Sequence, residues 1–402
     1  MNLIIFEDSR AEDLYPISIS HPVFDLLMGC ANVVDRLKAH FAPDKIVLCC
    51  REYLGDTTHD RYGYPVNDFQ SIDGETLLIN AAIKPDIELF KKIKNLPANS
   101  AICGTNGLIG AKLEASVVAR LDVAKIGDDR SLLPSGIKII EYDISLIEHL
   151  WDIVNYNGQA IINDIELIPS IQDWIQLPGM LKYGNNVYIH PQAKISPGVF
   201  IDDDNGPVVI DEGAVVESRT LIQGPAYIGK NSALMAGMVR EGCSVGPVCK
   251  VGGELEESII MGYSNKCHEG FIGHSYLGEW VNLGALTTNS DLKNNYGEIV
   301  VRLNGKDIKT GSIKVGSLIG DHTKTGIGTF LNTGVVIGFC NNLYGGALFA
   351  EKEIGHFRWG TPGNLVEYRV DKAIEVAKAV MKRRKLEFEK SSEVLFNLIS
   401  KM

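Results

Sequence analysis

Residues 210–234 read IDEGAVVESRTLIQGPAYIGKNSAL, and in them Ile210, Val216, Ile222, Ile228 and Leu234 recur every six positions. That period fits neither a helix, at about 3.6 residues per turn, nor the period-two alternation of a long strand. It fits a triangular coil, each side one short strand and one tight turn, with the recurring aliphatic pointing inward and stacking on its neighbours. A β-sandwich with fortuitous spacing is the alternative, and an unbroken run of in-register slots argues against it.

The spacing extends both ways. Ile189, Ile195 and Ile201 precede the run; Val245, Val251, Leu277 and Leu283 follow. Farther on come Ile313, Ile319, Leu331 and Ile337, with Thr325 in a polar slot. Glycine often comes next, as in Ile228-Gly229, Val245-Gly246, Ile319-Gly320 and Ile337-Gly338. It allows either close packing of coils or a positive φ at the corner. A left-handed parallel β-helix over 181–345 is therefore expected. Thr287–Thr310 breaks the repeat and holds a hairpin turning at Asn304-Gly305. A C-terminal tail, 346–402, turns helical from about Asn364, with Val370, Ile374, Ala377, Val380 and Met381 on one face. Its basic run, Lys382-Arg383-Arg384-Lys385, reads as a solvated helix end, or as a ligand or partner contact.

Upstream, residues 1–180 read as a Rossmann-like α/β domain. Leu3–Phe6, Lys45–Cys50 and Thr76–Asn80 are strand candidates; Val33–Phe41, Asp86–Ile93 and Ser145–Asn155 are helical. A Gly/Asn-containing stretch then leads to Asn186. Alternating strands and helices imply a mostly parallel sheet covered on both faces. Such sheets bind ligands beyond the C-terminal ends of their strands, which points to the loops after Phe6 and Asn80.

The 402 residues imply two domains, and 45% hydrophobic with 22% charged residues is ordinary for a globular chain. A net charge of −11 argues against nucleic acid or an anionic membrane as partner. A few local Arg and Lys residues would still serve phosphorylated substrates. The eight cysteines form no CxxC pair, the N-terminus lacks a basic leader, and no apolar run is long enough to span a bilayer. A reduced, cytoplasmic protein is the expectation.

Specific words then appear: Ser264-Asn265-Lys266-Cys267-His268, Phe271-Ile272-Gly273, Tyr276-Leu277-Gly278 and Val281-Asn282-Leu283-Gly284-Ala285. They resemble the acetyltransferase half of the GlmU family, bifunctional enzymes that make UDP-N-acetylglucosamine. Ile319-Gly320-Asp321-His322-Thr323-Lys324-Thr325, Leu331-Asn332-Thr333-Gly334 and Asp371-Lys372-Ala373 resemble a GlmU-related group of sugar nucleotidyltransferases. The resemblance spans almost the whole chain and is weaker in the N-terminal half.

The resemblance implies roles. His268 matches the general base, a group suited to taking a proton near neutral pH; alone it would read as a histidine on a turn. His274 and His322 are not ranked against it. Arg240 matches an arginine that holds the sugar phosphate, Asn282 a substrate contact, and Ala285 a backbone position on the acetyl-CoA cleft. Glu256 stands where the acetyltransferases carry a phosphate-binding Lys. It would repel a phosphate by roughly 1–4 kcal/mol at about 4 Å.

In the N-terminal half Asp8, Ser9 and Arg10 occupy the nucleotide loop, with Asp8 as Mg²⁺ ligand, and Asn80 is a substrate contact. The family's loop glycines are absent, Val23 replaces its Lys, and Ala82 stands where a metal-binding Asp is usual. Asp8, Asp152 or Asp164 would have to compensate.

The leading expectation is a sugar-1-phosphate nucleotidyltransferase using UTP or dTTP with Mg²⁺, fused to an acetyl-CoA-dependent acyltransferase coil and assembled as a homotrimer. The alternatives are acyl transfer alone, with an N-terminal domain that only binds a nucleotide-sugar, and a non-enzymatic trimeric sensor or scaffold.

Overall fold

A computed structural model describes residues 1–70, 72–174, 181–183 and 186–402. Its N-terminal sheet holds β1 (Asn2–Phe6), β2 (Lys45–Cys49), β3 (Glu75–Asn80), β4 (Ser100–Gly104), β5 (Gly107–Glu114) and β6 (Lys138–Glu141). Their order is β2-β1-β3-β5-β4-β6, and β5 alone runs against the others. Every residue of β1 is buried, as a strand covered on both faces must be. Leu3 and Ile5 face one core with α1 (Val33–Phe41) and α3 (Ile87–Lys94); Ile4 and Phe6 face a second with Val123 and Ile126. Asn32 and Asp86 cap the two helices by accepting from Asp35 N at 2.8 Å and Leu89 N at 2.7 Å.

The helix expected at Ser145–Asn155 is α6, Leu150–Leu167. It starts later because Asp152 accepts from His149 N at 2.9 Å and fixes the cap there. It also runs on through Asn157 and Gly158, which pack on the second domain. Asn157 Nδ2 donates to Gly242 O and Ser244 Oγ, both at 2.9 Å, and a Cβ on Gly158 would meet Pro225 at 3.1 Å.

That second domain is the left-handed parallel β-helix. One face stacks nine parallel strands, aligning Ile189, Ile210, Ile228, Val245, Ile260, Leu277, Ile319, Ile337 and Ile354. These aliphatics form its core. The polar slot at Thr325 is satisfied from within: its Oγ1 meets Thr287 Oγ1 at 2.7 Å and accepts from Gly284 N at 3.0 Å.

Three expectations are corrected. Ile313 is 49% exposed on the excursion, not in an inward slot. The repeat breaks after Asn289, since Thr288–Asn289 still pairs with Phe330–Leu331. The coil does not stop at 345, because buried Phe349 and Ile354 continue it and Trp359 pairs with Asn342. The expected junction at 180/181 adjoins residues outside the described ones. The hairpin is present, Val300–Leu303 against Lys306–Lys309, with Asn304 and Gly305 at φ 50° and 75°.

The two domains share one core: Phe24 and Leu27 of the first are clustered with Ile259, Tyr276, Leu318 and Val336 of the coil and Val301 of the excursion. Tyr276 donates to Leu27 O at 3.0 Å. Asn364–Glu367 forms a strand paired with Arg358–Thr361, so helix begins only at α7 (Val370–Arg383). A second helix, α8 (Lys390–Ile399), folds back and buries Phe396 among Phe339, Phe357 and Leu54. Among the described residues no helix is long and apolar enough to cross a membrane.

Candidate functional site

A cleft of about 450 Å³ opens beyond the C-terminal ends of β1 and β2, where open α/β sheets bind ligands. Glu7, Asp8, Glu12, Asp122 and Asp128 line it, against Arg51 and Lys125. Asp8 is buried and engaged on two sides: Arg10 pairs with it, and Asn80 Nδ2 donates to its Oδ2 at 2.6 Å. Burial is the largest influence on this carboxyl and raises its pKa, though Arg10 and Asn80 oppose that. Ser9 Oγ donates to Asp128 Oδ1 at 2.7 Å, and Gly127 packs so closely that a Cβ there would stand 2.7 Å from Asp8. Helix α5 (Val123–Asp128) thus sits over the 8–10 loop. Asp152 is spent capping α6, and Asp164 is buried in an ion pair with Arg36 at 2.6 Å.

On the coil, His268 is exposed on a turn. Beneath it lies Lys266, buried in an inward slot paired with Val251, its Nζ donating to Gly252 O at 2.7 Å and His268 O at 3.0 Å. Arg240 donates to Glu254 at 2.7 Å and lies 3.7 Å from Glu256, which also takes Lys314 at 3.2 Å. Asn282 is exposed and accepts from Asn265 Nδ2 at 3.3 Å; Asn265 in turn accepts from Arg384 at 3.1 Å, so Arg384 of the C-terminal basic run touches the coil while Lys382, Arg383 and Lys385 are exposed. Ala285 lies half-buried one turn on, its carbonyl accepting from Gly328 N. His322 is buried against Trp280, and burial pushes its pKa down to about 3, which leaves it neutral. His274 instead faces a carboxylate: its Nδ1 lies 2.8 Å from Asp291 Oδ2.

Residues 3–172 match the family described as sugar nucleotidyl transferase. The chain is 36% identical over 291 residues to a bifunctional sugar-1-phosphate nucleotidylyltransferase/acetyltransferase of Sulfurisphaera tokodaii, covering 71% of this chain and 65% of that one. It is 31% identical over 220 residues to the bifunctional protein GlmU of Methanococcus maripaludis, covering 52% of this chain and 44% of that one. For the GlmU protein of Rippkaea orientalis the identity is 29%, covering 42% and 46%. The chain thus spans less than two thirds of the length of each of these relatives.

Within the N-terminal domain the residues present do not make a resident Mg²⁺ site. Asp8 already serves Arg10 and Asn80, and no group of three His, Cys, Asp or Glu among the described residues could hold a metal ion. Asp8, Ser9, Arg10 and Asn80 do converge on one strand-end cluster, whereas His268, Arg240, Asn282 and Ala285 are spread along the coil.

Sequence reasoning missed Lys266 and Asp291. The signal for the second was available. One coil is about 17 residues, and His274 and Asp291 lie 17 apart, as do Asn265 and Asn282.

Sequence reasoning also missed a buried charge cluster between the domains. His21 Nδ1 meets Asp25 and its Nε2 meets Asp321, both at 2.6 Å. Arg61 meets Asp25 at 3.0 Å and Glu279 at 2.7 Å. These groups come from four separate stretches, and nothing local marks them.

Proposed function

We propose that this chain is a two-site transferase of nucleotide-sugar synthesis, of the UDP-N-acetylglucosamine type or another cell-envelope precursor. What carries the reading is the 36% identity to a nucleotidylyltransferase/acetyltransferase over 291 residues, which is longer than either domain alone. In the N-terminal cleft a sugar 1-phosphate oxygen would attack the α-phosphate of UTP or dTTP and release pyrophosphate, with Mg²⁺ brought by the nucleotide. Asp8, Ser9 and Arg10 would face the nucleotide, and Asn80 the sugar. On the coil an amine would attack the acetyl-CoA thioester and release coenzyme A, with His268 near the amine and Asn282 and Ala285 along the cleft. Arg240 could take a phosphate only by giving up Glu254. We place the protein in the cytoplasm as a homotrimer whose coils meet at that cleft.

The test is a paired assay on the whole chain: pyrophosphate release across four nucleotides and a sugar-phosphate panel, and coenzyme A release across amino sugars. Both products are expected. His268→Ala should lower coenzyme A release and leave pyrophosphate release unchanged. A second reading, acyl transfer alone, is favoured by the Asp8–Arg10–Asn80 lock; coenzyme A without pyrophosphate would select it. Neither product would leave a scaffold. Sedimentation as a monomer at micromolar concentration would remove the trimer.

A further inference from the structure

We propose that the His274–Asp291 pair is a general base for amine acylation at the corner where the excursion leaves the coil, and that its acceptor is a cationic amine lacking a nearby phosphate. This rests on the reading of the coil as an acyltransferase.

The geometry is that of an oriented base. Asp291 holds Nδ1, and Nε2 makes no hydrogen bond among the described residues. The side chains are 11% and 14% exposed, sheltered but reachable. The corner is shaped to admit the carboxylate: a Cβ on Gly273 would stand 2.7 Å from Asp291 Oδ2. Both backbones are tied to the end of the excursion, with Gly316 N donating to His274 O at 2.8 Å and Val315 N to Asp291 O at 3.0 Å. Asn289 accepts from Gly273 N at 2.9 Å and donates to Gly273 O at 3.0 Å. Burial works against the charge on Asp291, but the hydrogen bond from His274 prevails and holds that carboxyl below its ordinary range. Among the described residues His268 has no such orienting partner.

Charge selects the acceptor. Glu257 lies beside His274, with Glu241 and Glu256 close to Glu257, and Lys314 is the cation near both Glu257 and Asp291. Arg240 is held by Glu254 and Glu256, and Lys314 by Glu256. The remaining carboxylates make the corner acidic, which draws an ammonium and repels a phosphate. The ammonium sheds one proton to water. The amine nitrogen then bonds to the thioester carbonyl carbon while Nε2 takes its second proton. The C–S bond breaks, and the imidazolium returns that proton to the thiolate, leaving an amide and coenzyme A.

The test is coenzyme A release with acetyl-CoA and amino sugars, with pH profiles, for the wild type, His274→Gln, Asp291→Asn and His268→Ala. His274→Gln should cost about 100-fold or more in kcat, with KM for acetyl-CoA little changed. Asp291→Asn should cost less than His274→Gln and, like it, leave KM for acetyl-CoA little changed. Glucosamine should be used in preference to its 1-phosphate. If turnover vanishes in His268→Ala while His274→Gln and Asp291→Asn keep the wild-type kcat and profile, the dyad is structural and this proposal alone falls. If the wild type releases no coenzyme A with any amine, the acyltransferase reading falls and takes the dyad with it.

Discussion

At the residue scale, the coil separates two jobs that one glycine was expected to choose between. The glycine after each inward aliphatic makes close packing possible: a Cβ on Gly229 would stand 2.7 Å from Val245 O, and one on Gly320 or Gly338 would stand 2.8 Å from the backbone carbon of the glycine in the next coil. The positive φ lies two residues farther on, at Asn231, Val248, Trp280, His322 and Cys340. Gly320→Ala should therefore lower stability by roughly 1–3 kcal/mol, because its obstacle is backbone and cannot swing aside; an unchanged denaturation midpoint would refute it. Lys266 yields a second prediction. Burial pushes its pKa from 10.5 down to about 8. Between those values the unfolded chain holds a proton that the folded one has shed, so this group adds stability as pH rises through that window. Below it the buried ammonium is carried at full cost. The stability of the wild type relative to Lys266→Met should rise from pH 8 to 10, and a pH-independent difference would contradict it.

Elements with a strong local signal were legible before the fold was known. The first three strands and helices α1 and α3 fall within a residue or so of their expected bounds, because apolar runs and helical spacing need no distant partner. The coil was legible for the same reason, its period being written into the chain. What escaped depends on remote contacts. β5 reads GLIGAKLE, and its Gly110 is there so that the strand can approach Leu78 O, 2.6 Å from where a Cβ would sit. Asn157 and Gly158 fall in the Gly/Asn-containing stretch after the expected helix and are the helix face that meets the coil. The site divides in the same way. Asp8 and Arg10 are neighbours in sequence, whereas Asn80 and Asp128 reach them only through the sheet and α5. α8 is a testable case of such remote dependence. Phe396 is its anchor, in edge contact with Phe339 at 4.8 Å and His322 at 5.0 Å. Phe396→Ala should cost about 3–5 kcal/mol if α8 unfolds only with the rest. If α8 instead frays alone, hydrogen exchange will rise at residues 390–399 and the global midpoint will hold.

At the scale of the whole molecule, the shared core and the buried charge cluster make the two domains one cooperative body. Both nitrogens of His21 face carboxylates, one from each domain, which requires the imidazolium. Burial opposes that charge, but Asp321 and Asp25 outweigh it and raise the pKa from 6.5 to about 10. A raised pKa contributes its stability in full below the unfolded value, and that contribution drains away as pH rises through the folded one. Docking of the domains should therefore weaken between about pH 6.5 and 10. Removing the imidazole leaves Asp25 and Asp321 buried with one cation fewer, a change that typically costs about 3–5 kcal/mol. His21→Ala should lower the denaturation midpoint at pH 7 and flatten the decline toward pH 10. It should also split the single transition in two, since the first domain has a core of its own on the far face of its sheet. A single transition in the variant, with the wild-type slope against pH, would mean that shared apolar packing alone holds the halves together and that His21 is neutral where it sits.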